Sequence, residues 1–221
     1  MTEKTALITG STGGIGKYLV SSLKEDVTVV SPTRKELDLS SNSSINNYIS
    51  SLDIPIDIIV NCAGIHKAGN CEDLTEYDFQ NVLQINLIAP FQIISGLAKG
   101  MKERKYGRIL NISSIWSVIA KEKRSIYSAS KSGLDGLTRT LALELAPFNI
   151  LVNSIAPGYV DTKMIQLYNS EKELEKIKKI IPLGRFAKPS EIGELAKFLC
   201  SEKNSYITGQ IIPIDGGYTT Q

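Results

Sequence analysis

Short apolar runs rich in β-branched residues alternate along the chain with longer stretches whose apolar residues recur every three or four positions. Thr5–Thr9, Val27–Val30, Ile56–Val60, Arg108–Ile112, Ile150–Ile155 and Gln210–Ile214 read as strands. Ile15–Lys24, Tyr77–Arg104, Tyr127–Pro147 and Pro189–Cys200 read as helical, with Pro90 a bend in the second. The strands lack strict in-out alternation, as expected where helices bury both faces of a parallel sheet. Alternation carried through the whole chain predicts an α/β fold, a doubly wound parallel sheet of Rossmann type. No linker, repeat or low-complexity tract divides it, so residues 1–221 read as a single domain.

Composition narrows the chemistry. The 221 residues are 42% hydrophobic and 22% charged, enough to bury a core without staples. A net charge of +2 makes no electrostatic case for nucleic acid or an anionic membrane as partner. With one histidine, His66, no His-rich metal site can be built, and a Ser-His-Asp hydrolase would have to run through that residue alone. Cys62, Cys71 and Cys200 form no CxxC pair and suggest a reducing compartment. No signal-peptide pattern opens the chain and no run of eighteen apolar residues occurs, so the expectation is a cytoplasmic protein.

Three constellations carry candidate chemistry. The first strand runs into Gly10-Ser11-Thr12-Gly13-Gly14-Ile15-Gly16 and then a helix. That context suits a dinucleotide pyrophosphate approaching the backbone at a helix N-terminus, although a tight turn alone would also use these glycines. Tyr127 and Lys131 are spaced i, i+4, so an ammonium can stand beside a phenol on one helix face. Acid-base work near neutrality needs the phenol shifted by about 3 units, or ~4 kcal/mol. An aromatic packing beside a solvated lysine is the alternative. Asn111-Ile112-Ser113-Ser114 closes a strand, where a serine can bind a substrate oxygen or simply cap the next segment.

Taken in order, these motifs resemble the short-chain dehydrogenase/reductase family in its compact single-domain branch. Thr9–Gly16 is similar to the family's glycine-rich cofactor loop, and Asn61-Cys62-Ala63-Gly64 to its Asn-Asn-Ala-Gly segment, with Cys62 replacing an asparagine. The resemblance implies Ser114, Tyr127, Lys131 and Asn86 as the catalytic set. Ser114 is preferred to Ser113 because it lies thirteen positions before Tyr127. It also implies that Gly10, Ser11, Thr12, Gly14, Ile15, Gly16, Asn61, Ala63, Gly64, Tyr127, Lys131, Pro157, Gly158, Val160 and Thr162 bind the cofactor. In the implied reduction, Ser114 and Tyr127 hold a carbonyl and Tyr127 protonates it. Lys131 lowers the Tyr127 pKa and holds the ribose, and Asn86 anchors a water leading to Lys131. The charged segment from about 161 to 188, with Leu167, Leu174, Ile177, Ile180 and Ile181 at helical intervals, resembles the family's substrate lid.

One family element is missing. Only Ser31–Glu36 separates the second strand from Leu37-Asp38-Leu39, where Asp38 and Leu39 correspond to the adenine-contacting segment. A helical crossover needs roughly a dozen residues, so that helix is expected to be absent, with an extended loop leaving one sheet edge less covered. The loop carries Thr33 and Arg34 and no carboxylate at the strand end, which favours NADP(H) over NAD(H) through contacts to a 2′-phosphate.

The expected function is hydride transfer between a nicotinamide cofactor and a carbonyl or alcohol, with 3-oxoacyl-(acyl carrier protein) reduction the leading activity of similar sequences. A sugar or polyol reductase is the alternative on the same chemistry, and a non-catalytic NAD(P)-binding protein the alternative on the same fold. The substrate is small or carrier-bound. The Tyr77–Arg104 and Tyr127–Pro147 helices carry apolar residues, Leu143 among them, on more than the one stripe needed to cover a sheet, and the resemblance implies that these helices join subunits into a homodimer or homotetramer. His66 follows the Asn61–Gly64 segment and can either touch substrate or lie on a surface loop, the second being the preferred reading, and Trp116 reads as either pocket lining or packing.

Overall fold

A computed structural model describes residues 4–167 and 170–220, the side chains at 164 and 167 excepted. Among the described residues, six strands form one parallel sheet in the order β2-β1-β3-β4-β5-β6. They are β1 Thr5–Thr9, β2 Thr28–Val30, β3 Ile58–Asn61, β4 Gly107–Ile112, β5 Ile150–Pro157 and β6 Ile211–Ile214. The order reverses direction between β1 and β3, which creates the crevice where open α/β sheets bind ligands. Pro213 is tolerated because β6 lies at an edge.

Both faces of the sheet are buried. On one, Leu7, Ile59, Ile109 and Val152 pack against α2 (Asn42–Ser50), α4 (Ala89–Arg104) and α5 (Ser125–Leu145). On the other, Ala6, Ile8, Ile58, Val60 and Leu110 meet α1 (Gly14–Leu23) and α8 (Pro189–Cys200). Neighbouring residues of a strand serve opposite faces, so no polar alternation appears in the sequence. Each large side chain buried in these layers contributes roughly 1.5–3 kcal/mol.

The crossover from β2 matches the expected loss. Residues 31–41 contain no helix, and Leu37–Leu39 is not a strand, so β2 is the sheet edge. The chain instead crosses to β3 through α2, which the apolar pattern did not reveal. Ser41 caps α2 by accepting from the Ser44 N–H at 3.2 Å, and Ile45 is buried in the core.

The stretch read as one bent helix is α3 (Glu76–Leu83), a π-helical turn over Gln84–Ile88, and then α4. Pro90 has no N–H to offer the Asn86 carbonyl four residues back, and the ladder widens at that point. By length and composition this stretch could cross a membrane, but Val82, Ala89, Ile93, Ile94 and Met101 are buried inside the protein. Two short helices, α6 (Lys163–Leu167) and α7 (Glu171–Lys179), follow β5. Within the expected lid, Ile181 is buried and Ile180 exposed, while the Leu167 side chain lies outside the described residues.

Candidate active site

A row of polar residues crosses the sheet near the carboxyl ends of the strands. Register aligns Thr9 with Asn61, Asn61 with Asn111, and Asn111 with Ser154. Asn61 Nδ2 donates to Asn111 Oδ1 at 2.9 Å, and Asn111 Nδ2 donates to the Thr138 hydroxyl of α5 at 2.8 Å. Thr138 gives its proton to the Leu134 carbonyl, so the Ser154 hydroxyl 3.0 Å away donates to Thr138. The Thr9 hydroxyl accepts from the Cys62 and Ala63 N–H groups at 3.2 and 3.3 Å. Buried polar groups satisfied in this way fix the strand ends relative to one another.

The loops above that row form a cradle. Gly10 sits at φ +71°, and a Cβ there would stand 2.6 Å from the Ala63 backbone, so the β1 and β3 loops touch only because Gly10 has no side chain. Gly13 caps α1 without a side-chain hydrogen bond, so no capping side chain occupies the first-turn N–H groups of that helix. Half-buried Ser11 and exposed Thr12 form the lip. Across the opening, Thr162 packs so closely on Gly14 that a Cβ there would meet its methyl at 2.6 Å. Pro157 ends β5, Gly158 just beyond it packs on Asp215, and Val160 is anchored by pairing with Ala187. Asn61 Oδ1 is buried without a partner. An open helix N-terminus, a backbone cradle and an orphaned acceptor fit a nicotinamide dinucleotide.

The proposed catalytic groups converge at the mouth of β4. Ser114 is buried just beyond the strand, and its hydroxyl both accepts from the Trp116 N–H at 3.3 Å and hydrogen-bonds the Tyr127 phenol. Lys131 is buried on α5, with Nζ donating to the Ile112 carbonyl at 2.7 Å and standing 5.8 Å from the Tyr127 ring centre. Asn86, wholly buried in the π-turn, bonds both the N–H and the carbonyl of Ile65 at 2.9 Å and donates to Ser130 at 3.0 Å. Gly64 lies between Asn86 and Lys131.

Electrostatics revise one expectation. Burial dominates at Tyr127 and raises its pKa, opposed by the Ser114 hydrogen bond and the Arg124 charge. Lys131, expected to draw the phenol down, is itself lowered to about 8 because burial disfavours its charge. Burial likewise pushes the Cys62 thiol up to about 12, so it stays neutral beside Lys131.

The contact of His66 with Arg124 and Tyr127 is what sequence reasoning missed. Expected on a surface loop, His66 instead meets Tyr127 edge-on, with ring centroids 4.9 Å apart, and bonds Arg124 Nη1. Burial, then the Arg124 charge, lowers its pKa to about 4. Trp116 packs edge-on against Tyr159 and Tyr218 at 6.0 Å, which makes it a wall of the same mouth. No local signal marks the His66 contact, because Arg124 and Tyr127 lie about sixty positions from it in the chain.

The 31–39 loop, expected to reach the adenosine end of the cofactor, follows β2 at the sheet edge. Arg34 projects with 83% of its side chain exposed, 3.9 Å from Asp38. Asp38 is engaged by the Ser40 N–H and hydroxyl at 3.0 and 2.7 Å, and the Leu39 carbonyl accepts from Gln84. Thr33, expected to donate to a 2′-phosphate, gives its N–H to Glu36 at 2.7 Å. Glu36 is a carboxylate in this loop that the sequence reading did not weigh.

Fold and site together define a nicotinamide-dependent dehydrogenase of the α/β class. Residues 15–219 match the family model described as enoyl-(acyl carrier protein) reductase, and the chain belongs to the short-chain dehydrogenase/reductase family as an NAD(P)-dependent oxidoreductase. It is 38% identical to 3-oxoacyl-[acyl-carrier-protein] reductase FabG of Aquifex aeolicus, covering 97% of this chain and 96% of that one. Its structure is similar to gluconate 5-dehydrogenase from Burkholderia cenocepacia in complex with NADP and tartrate (TM-score 0.94, 28% identity, 100% and 97% covered). It is also similar to a 4-hydroxyisoleucine dehydrogenase mutant complexed with NADH and succinate (TM-score 0.93, 32% identity, 99% of each chain).

Proposed function

We propose that this chain is a cytoplasmic, single-domain reductase of a 3-oxoacyl group carried as a thioester, with residues 161–188 acting as a lid. The observation that carries this reading is the convergence of Ser114, Tyr127, Lys131 and Asn86 beside the cradle at the strand ends. When bound, the reduced nicotinamide supplies the hydride. The Ser114 and Tyr127 hydroxyls hold the carbonyl oxygen, and Tyr127, kept neutral by burial, gives its phenolic proton to that oxygen as the alcohol forms. Lys131 holds the ribose and returns a proton toward Tyr127, with Asn86 fixing the relay behind it. Asn61, Ala63, Gly64, Pro157, Gly158, Val160 and Thr162 frame the nicotinamide end.

NADP(H) is the favoured cofactor. Arg34 is exposed and can pair with a 2′-phosphate, which would compete with Glu36 for Thr33. Asp38 and Leu39 flank the adenine in this reading. Assembly as a homodimer or homotetramer is supported by the groove between α4 and α5, lined by Phe91, Ile94, Ala98, Leu141 and Leu145, with Leu143 80% exposed beyond it.

A second reading, reduction of a sugar or polyol intermediate, draws on the likeness to gluconate 5-dehydrogenase. A panel of 3-oxoacyl thioesters and keto-sugars, followed through loss of NADPH and NADH absorbance, separates the two. Turnover of thioesters is the expected result, and turnover of keto-sugars alone would replace the first reading with the second.

A further inference from the structure

The segment joining β4 to α5 carries the run Lys121-Glu122-Lys123-Arg124, and two of its cations flank the mouth of the active site. Lys121 Nζ donates to the Tyr159 hydroxyl at 2.9 Å and stands 5.3 Å from the centre of the Trp116 ring. Trp116, Tyr159 and Tyr218 meet one another edge-on at 5.5–6.0 Å, so Lys121 is fastened to an aromatic wall that begins two residues after Ser114. On the other side, Arg124 is bonded to His66, whose edge contacts Tyr127. The Arg124 charge acts on both Tyr127 at the reacting end and Tyr159 in that wall.

Neither cation is neutralised. Arg104, Arg185 and Lys197 each find a carboxylate elsewhere in the protein, whereas Lys121 and Arg124 form no ion pair among the described residues, despite Glu122 between them in sequence. Lys123 adopts φ +61°, a left-handed conformation that a residue with a Cβ rarely takes, and its carbonyl accepts from the Gly69 N–H at 3.3 Å. Backbone strain is thus held in the turn that carries these two cations. Neutral His66 can accept from Arg124 without competing for an anion.

We propose that Arg124 and Lys121 bind an anionic group of the substrate, a carboxylate or a phosphate ester, at the mouth of the pocket whose floor is Ser114 and Tyr127; this rests on the reading of those two residues as the reacting end. The planar Arg124 fork suits either anion in a bidentate contact, with Lys121 as a point charge opposite. His66 is a positioning residue that holds the guanidinium.

Matched substrate pairs test the site. One pair is 3-oxobutanoate and its methyl ester; the other is 3-oxobutyryl-phosphopantetheine and the same thioester of unphosphorylated pantetheine. At least one charged member is expected to exceed its uncharged partner in kcat/KM by about tenfold or more, mostly through KM. The pair that shows the difference identifies the carboxylate or the phosphate as the anion. In Arg124→Gln/Lys121→Gln the ratio should fall to about one, while Arg124→Lys should keep part of it. His66→Gln should raise KM for the charged member, and dinucleotide affinity shows that each variant is folded. Equal turnover of charged and uncharged members, or a ratio unmoved in the double variant, would overturn the anion site alone. No reduction of any of the four compounds, with dinucleotide binding intact, would overturn the thioester-reductase reading and the anion site with it.

Discussion

Asn61 and Asn111 face each other across β3 and β4 with their side-chain amides 2.9 Å apart, both buried. This bond couples the strand whose loop frames the cofactor cradle to the strand that presents Ser114. Asn111→Leu removes the acceptor for Asn61 and the donor to Thr138 at once. Asn61 Nδ2 is left unpaired while Thr138 keeps its Leu134 and Ser154 partners, and the expected loss is about 1–3 kcal/mol of unfolding free energy in urea denaturation.

Tyr127→Phe deletes one hydroxyl and leaves the ring against His66. Turnover should fall by about 10²-fold or more, with dinucleotide affinity nearly unchanged in fluorescence titration. Near-normal kcat would show that the proton comes from another group.

Lys131 has its pKa lowered to about 8, so it is charged below that pH and loses its proton as pH rises through it. The rate of carbonyl reduction should therefore be flat on the acid side and decline above about pH 8. In Lys131→Arg, whose charge does not titrate in this range, the alkaline decline should vanish at a reduced overall rate.

Arg34→Ala removes the proposed phosphate contact from an otherwise exposed position. KM for NADP(H) should rise by about tenfold or more, and KM for NAD(H) should change little. Side-by-side kinetics with both cofactors give the answer, and a protein that already prefers NAD(H) would remove Arg34 from the discriminating role.

Leu143→Glu places a charge on the most exposed part of the α5 face. Sedimentation at micromolar concentration should show the oligomer giving way to a monomer of 24.2 kDa.

Much of the framework was legible in the chain because strand and helix patterns are local. Pro189–Cys200 folds as read: Pro189 starts α8, Glu191 accepts from the Lys188 N–H at 2.7 Å, and Ile192, Ala196 and Leu199 form one buried stripe. Helix α2 was hidden because Asn42–Ser50 is mostly serine and asparagine, poor helix formers, and tertiary packing of Ile45, Tyr48 and Ile49 overrides that preference. The π-turn at Asn86 was visible only as Pro90, since a proline marks a broken ladder without saying how the chain repairs it. The His66 contact was invisible because the residues that bury it, Arg124 and Tyr127, lie about sixty positions away.

The turn that replaces a strand and helix after β2 separates two demands on the sequence. Residues 31–36 belong to no ladder, and apart from the partly buried residues at 31 and 32 they are exposed. On the proposed assignment, the groups that discriminate between dinucleotides sit in that turn, whereas the groups that hold the sheet together sit in β1, β3, β4 and β5. Cofactor preference in this chain is therefore open to change by single substitutions that leave folding intact, and the turn is the natural place to begin re-engineering it for a different electron donor.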